Sequence, residues 1–107
     1  MVKIYKYPLF YHSVPELLRL PKDAEITSFG VQMQNNPKTV MWAKIDTDNE
    51  IEERIFFIAM TGREIPGKIV KVYNTLQTEN NIVMTLLELS DVVANDPQKD
   101  TRINLAL

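Results

Sequence analysis

Between Thr39 and Gly62 the chain carries two apolar runs of strand length, TVMWAKID and IEERIFFIAM, joined by the acidic bend DTDNE. On an extended backbone Met41, Ala43 and Ile45 share one face of the first run, and Val40 and Trp42 share the other. In the second run Ile55 and Phe57 oppose Phe56, Ile58 and Met60. Strands that are apolar on both sides cannot form a single layer with one side in water. Cover must come from residues 14–20, from the C-terminal tail, or from another copy of the chain. The two runs and their bend read as a structural hairpin that holds the only tryptophan.

The flanking segments extend the β pattern. VKIYKY at 2–7 mixes β-branched and aromatic residues with lysines and stops at Pro8, the signature of a strand near a sheet edge, where lysine discourages unwanted pairing. SVPELLRL at 13–20 has two readings. Ser13 and Glu16 stand at capping-box spacing for a helix of about two turns, whereas Leu18 to Leu20 also suit an extended segment entering a Pro21–Ala24 turn. In EITSFGVQMQ at 25–34, Phe29, Val31 and Met33 share a face, and Gly30 marks a bulge or a close backbone approach. The NNPK turn then leads into TVMWAKID as hairpin partner. Thr61 to Gly67 reads as a loop; 68–77 and 82–89 read as two further strands around a TENN turn, with a buried helix competing for the last run. After Leu89 a polar, proline-interrupted stretch precedes RINLAL, either a loose tail or a terminal strand docking on its own sheet or on a neighbouring subunit. The expected fold is mainly β (β-rich α+β), an antiparallel meander of about five to six strands with at most one short helix. Residues 1–89 form its single domain and 90–107 its tail.

Composition narrows function more than it defines it. With 107 residues, 45% of them apolar, the chain suits one domain with a modest core. A net charge of -2 offers no broad basic field for nucleic acid, so any phosphate-binding surface must be local. The absence of cysteine removes disulfides, thiolate metal sites and cysteine nucleophiles. No stretch approaches the roughly 20 apolar residues that span a bilayer, and Lys3 and Lys6 interrupt any signal-like start. A cytoplasmic location without membrane contact is expected.

Several motifs invite chemistry. Gly62-Arg63-Glu64-Ile65-Pro66-Gly67-Lys68 matches the first seven positions of a phosphate-cradling loop, but Ile69 stands where a magnesium-binding hydroxyl belongs and IVKVY is β-like. A plain strand-connecting turn is the better reading, and its glycines and basic residues leave open contact with an anion by another geometry. The DTDNE bend lacks the glycine and closing glutamate of a calcium loop, so a solvated bend is expected. Adjacent Glu52 and Glu53 point opposite ways on a strand and cannot pair as acid and base. His12, the only histidine, has no sequence-local partner for a metal site or triad and reads as surface or structural. Tyr5, Tyr7, Phe10 and Tyr11 suit core packing, an interface or stacking on a ring. Arg54, Arg63, Lys68 and Lys71 form either a solvated face or a small phosphate-binding cluster.

IYKYPL at 4–9, LPKDAEI at 20–26, VQ at 31–32, MWAKID at 41–46, EERIFFIAMTG at 52–62 with Ile65-Pro66, and VMTLLEL together resemble a family of small uncharacterised proteins found largely in bacteriophages and bacterial genomes. The resemblance covers about residues 2–89 and implies a β-rich domain in a phage-associated setting with no catalytic motif to transfer. It also implies a histidine near the last strand, where this chain has Thr85. The expected function is that of a non-enzymatic, homo-oligomeric accessory protein, in the host cytoplasm if phage-encoded. It would bind and sequester a small nucleotide-like signalling anion of host defence, without cofactor or metal. The expected ligand residues are Arg54, Arg63 and Lys68 on phosphate, Thr61 and Gly62 in the loop, and Trp42 or Tyr73 stacking. The alternative is an inhibitor that occupies a host protein's surface without a small ligand.

Overall fold

A computed structural model describes residues 1–32, 38–78 and 80–92 and the backbone of 104–106, and every regular element among them is a strand. These are β1 (Val2–Leu9), β2 (Glu16–Pro21), β3 (Glu25–Gln32), β4 (Lys38–Asp46), β5 (Ile51–Met60), β6 (Lys68–Gln77), β7 (Val83–Ser90) and β8 (Asn104–Ala106). They form two sheets, β1-β4-β3 and β6-β7-β5-β2-β8, antiparallel throughout except for the parallel β2/β8 pair. The β-rich single domain expected from the sequence holds, with more strands than the pattern suggested. Met33, Gln34, most of the NNPK turn, Glu79 of the TENN turn, Ile103 and Leu107 lie outside the described residues.

The sheets stack face to face as a sandwich. Met41, Ala43 and Ile45 of β4, Phe29 of β3 and Leu9 of β1 meet Leu18 and Leu20 of β2, Phe56 and Ile58 of β5, and Met84 and Leu86 of β7 in one buried cluster. The alternation read from the sequence assigns most of these correctly. In β3 it places Phe29 and Val31 on the core side, and a bulge between Ile26 and Ser28 shifts the pleat so that Ile26 reaches the same core. Gly30 marks neither a bulge nor a close approach: the bulge lies between Ile26 and Ser28, and a Cβ at Gly30 would make only ordinary contact, 3.7 Å, with Cζ3 of the Trp42 indole.

The reading of residues 39–62 as one hairpin is overturned. β4 and β5 lie in different sheets, and the DTDNE bend carries the chain from one to the other. Stacking the runs face to face lets the Met41 side of β4 bury the Phe56 side of β5, which pairing edge to edge in one sheet would not do. The bend has its own partners: the N-terminal amine bonds Asp46 (2.9 Å) and Asp48 (2.7 Å), and Asn49 Nδ2 donates to the Lys22 carbonyl (2.9 Å). β4 does form the expected hairpin with β3, and β6 with β7.

Of the 13–20 segment, residues 16–20 belong to strand β2 and none is helical. Leu18 and Leu20 fill the core at period two, which a helix could not present to a sheet. β1 runs past Pro8 to Leu9 because the Thr47 amide bonds the Met1 carbonyl (3.0 Å), putting odd-numbered residues of β1 in bonded pairs and turning the Pro8 nitrogen away from β4. On the far face of the larger sheet, Phe57, Leu87 and Leu89 form a second buried cluster with Ile55, Ala59 and Val92. The two-sided apolar character of β5 is therefore real. Among the described residues, no helix is long and apolar enough to cross a membrane.

Candidate functional site

Loops gather at the end of the sandwich where β5 finishes and β2 and β7 begin. His12, Ser13 and Val14 of the β1–β2 connection, Met60, Thr61 and Arg63 at the end of β5, and Asn81, Ile82 and Val83 entering β7 line an open cleft of about 850 Å³. Each wall has a local cause. Thr61 and Gly62 make a tight turn closed by the Arg63 amide on the Met60 carbonyl (3.1 Å), and Gly62 takes φ 84°, a left-handed value that favours glycine. Asn81 also sits left-handed (φ 61°), its amide on the Thr78 carbonyl and its Oδ1 accepting from Gln77, which leaves Nδ2 as a donor. Ser13 is left-handed at φ 59°, strained for a serine, and its amide is held by the Ile58 carbonyl (2.9 Å).

The β1–β2 connection is organised from beneath by Glu16. Its Oε1 accepts the Tyr11 amide at 2.7 Å, while Oε2 and the Ser13 hydroxyl are buried without a partner among the described residues. Ser13 and Glu16 were thus at a meaningful spacing, but the carboxylate reaches back to an upstream amide in a turn instead of opening a helix. Burial pushes the Glu16 carboxyl up, against the backbone bonds from Tyr11 and Phe10 that pull it down. A carboxyl with a folded pKa above its ordinary 4.5 is protonated in the native state before it is in the unfolded chain. Its contribution to stability is greatest below 4.5 and falls as pH rises toward the folded value. Urea titrations of Glu16→Gln across that window are expected to lack this decline; an unchanged slope would remove Glu16 from the account.

The cleft's charge is one-sided. Arg63 and His12 line it, and no carboxylate does among the described residues. His12 is neither isolated nor a ligand set: its Nε2 lies 3.3 Å from the buried Thr39 hydroxyl. A second cleft, about 650 Å³, lies toward the opposite end, and there Asp23, Glu25, Glu52 and Glu88 outnumber Arg54 and Lys71. Arg54 grips Glu88 through both Nε (2.8 Å) and Nη2 (2.7 Å), and donates from Nη1 to the Ala24 carbonyl (2.7 Å) and from Nη2 to the Tyr73 hydroxyl (3.1 Å). Tyr73 in turn donates to Glu88 at 2.6 Å. Burial and the Glu88 hydrogen bond push the Tyr73 hydroxyl up to about 12, so it stays a donor at any ordinary pH. Four of the five guanidinium donors are thereby spent inside the protein.

The seven residues singled out from the sequence are therefore dispersed. Thr61 and Arg63 line the first cleft and Gly62 shapes its turn, while Arg54 and Tyr73 belong to the second. Lys68 begins β6 opposite Ser90, and Trp42 lies over Gly30 on the smaller sheet. The loop is no phosphate cradle of the P-loop kind, since β6 and not a helix follows it, and Gly67 is fitted against Ser90 and Val92. Thr85, where the resembled family implied histidine, pairs hydroxyl to hydroxyl with Thr75 at 2.7 Å. Ser13, Asn81 and Ile82 escaped sequence reasoning because left-handed turns and loop convergence leave no periodic trace.

Fold and site together define a two-sheet β-sandwich domain with a polar cleft among its end loops. The chain belongs to the family described as a domain of unknown function (DUF7352), whose profile matches residues 1–95. No curated protein and no solved structure matches it.

Proposed function

We propose that the cleft at Thr61 to Arg63 binds a small phosphate-bearing anion, and that the protein acts by sequestering it without turnover. The observation that carries this reading is the cleft's lining: Arg63, His12, Thr61 and Asn81 supply a cation and donors, and no carboxylate opposes them among the described residues. In a chain of net charge -2 this is where an anion finds a local field. The volume suits a nucleotide-sized ligand. Arg54 and Tyr73 leave the ligand set because their donors are engaged by Glu88 and Ala24. In the phage-type setting implied by the resembled motifs, such a ligand fits a nucleotide-like signal of host defence in the host cytoplasm. We include self-association in the proposal, since the binding unit then presents more than one cleft.

Calorimetric titration with nucleoside monophosphates, cyclic nucleotides and inorganic phosphate tests the cleft. Binding by the native chain is expected to weaken at least about tenfold in Arg63→Ala, the loss of one charge-assisted contact, and to be unchanged in Lys68→Ala. No heat with any compound would sink the reading. A second reading, occupation of a host protein's surface, has its own observation: Phe10 (65% exposed), Tyr11 (42%) and Ile82 (42%) form exposed apolar surface around the same loops. Capture of a host protein lost in Phe10→Ser but kept in Arg63→Ala would favour it.

A further inference from the structure

β1 is the least buried strand of the smaller sheet and, among the described residues, has a hydrogen-bonded neighbour only on its β4 side. It pairs with β4 without a register shift from Val2 to Leu9, so its free edge is straight. The other long edge strands are irregular: β3 carries a bulge between Ile26 and Ser28 and β6 has two register irregularities, and the Asn74 side chain of β6 reaches the Phe29 carbonyl of β3 (3.4 Å). β1 is also anchored at its start, where the Met1 amine bonds Asp46 and Asp48.

Since the odd-numbered residues of β1 are bonded to β4, the amides and carbonyls of Val2, Ile4 and Lys6 point outward, and Pro8 closes the usable edge by lacking an amide. Val2 and Ile4 are each 59% exposed beside that edge. An antiparallel copy of the same strand fits it in one register. With Ile4 facing Ile4 of the partner subunit, Val2 faces the partner's Lys6 and all three outward amides find carbonyls. Lys3 then faces the partner's Tyr5, so no two lysines oppose each other. A shift by one residue sets outward-pointing amides against inward-pointing ones; a shift by two sets Val2 against the partner's Pro8, where an amide is missing, in one direction, and Lys3 against the partner's Lys3 in the other. Pro8 and Lys3 thus disfavour the neighbouring registers of a second copy.

We propose that β1 is the surface through which two copies of this chain associate, antiparallel across a two-fold axis at Ile4, joining their three-stranded sheets into one of six strands. This deepens the self-association reading above and is independent of the anion cleft. It supplies partners for a backbone edge that is otherwise left to water.

The chain has no cysteine, which makes single-cysteine variants unambiguous. Bonded antiparallel partners sit about 5.5 Å apart at Cα, within disulfide reach. Ile4→Cys is therefore expected to convert to a covalent dimer on mild oxidation, and Val2→Cys, which faces a lysine, is expected to stay monomeric under denaturing conditions. Ile4→Pro removes an outward amide, as Pro8 already does, and is expected to halve the mass seen by light scattering while leaving the unfolding transition in place. A dimer in which Ile4→Cys fails to cross-link and Ile4→Pro changes nothing would overturn the β1 assignment and leave self-association standing elsewhere. A monomer at all concentrations would overturn both. Another protein co-purifying with the native chain but not with Ile4→Pro would give the edge to a foreign strand and overturn self-pairing.

Discussion

Phe56→Ala is expected to destabilise the protein by about 4 kcal/mol, a large share of the roughly 5–15 kcal/mol that holds a domain folded. Phe56 is 1% exposed and lies on the inner face of β5, between Glu16 on β2 and Glu88 on β7 in the ladder. The Arg54 guanidinium sits 5.4 Å from its ring centroid and the Tyr73 ring 6.3 Å away. Truncation removes the ring from the cluster joining the two sheets and takes the floor from under a charged network. Urea unfolding followed by the single tryptophan, Trp42 on the other sheet, reports on that junction. A loss under about 1 kcal/mol would mean that the sheets close over the gap, contrary to the close packing that cores show.

The second large effect is at Glu88. Glu88→Ala is expected to cost about 3 kcal/mol, because it strands the Arg54 guanidinium, only 15% exposed, without its carboxylate. The double variant Arg54→Met, Glu88→Leu is expected to recover most of that loss, since paired burial of charge contributes little beyond a well-packed apolar pair. Failure of the double variant to recover would show that the Ala24 and Tyr73 hydrogen bonds carry the network. Burial raises the Glu88 pKa, but the hydrogen bonds from Arg54 and Tyr73 outweigh it and hold the carboxyl below its ordinary 4.5. The stabilisation is thus fully present above 4.5 and is lost as pH falls through the lowered folded value. Acid should weaken the native chain relative to Glu88→Ala in that range, the opposite trend to the one Glu16 imposes.

This network also explains why the basic residues misled. Arg54, Arg63, Lys68 and Lys71 lie close in sequence, and proximity suggested one phosphate cluster. Folding sends Arg54 and Lys71 to an acidic cleft, Arg63 to the opposite end, and Lys68 to the start of an edge strand. Whether a cation is free depends on the strand beside it: Glu88 becomes the neighbour of Arg54 only because β7 pairs with β5, 34 residues later in the chain.

The sequence by itself determined the material of this fold. Period-two alternation marked the strands and most of their inward residues, and glycine, proline and asparagine marked the breaks, because the pleat and the turn are local properties of a few consecutive residues. The two apolar faces of β5 were legible in the same way. Tertiary structure alone decided that β4 and β5 stack and do not pair, that ELLRL at 16–20 is strand and not helix, and that His12, Thr61 and Asn81 share a cleft. Those outcomes turn on which distant strand supplies the hydrogen bonds and which face is already covered. A local pattern that satisfies a hairpin and a sandwich equally well cannot choose between them; burial against the opposite sheet does.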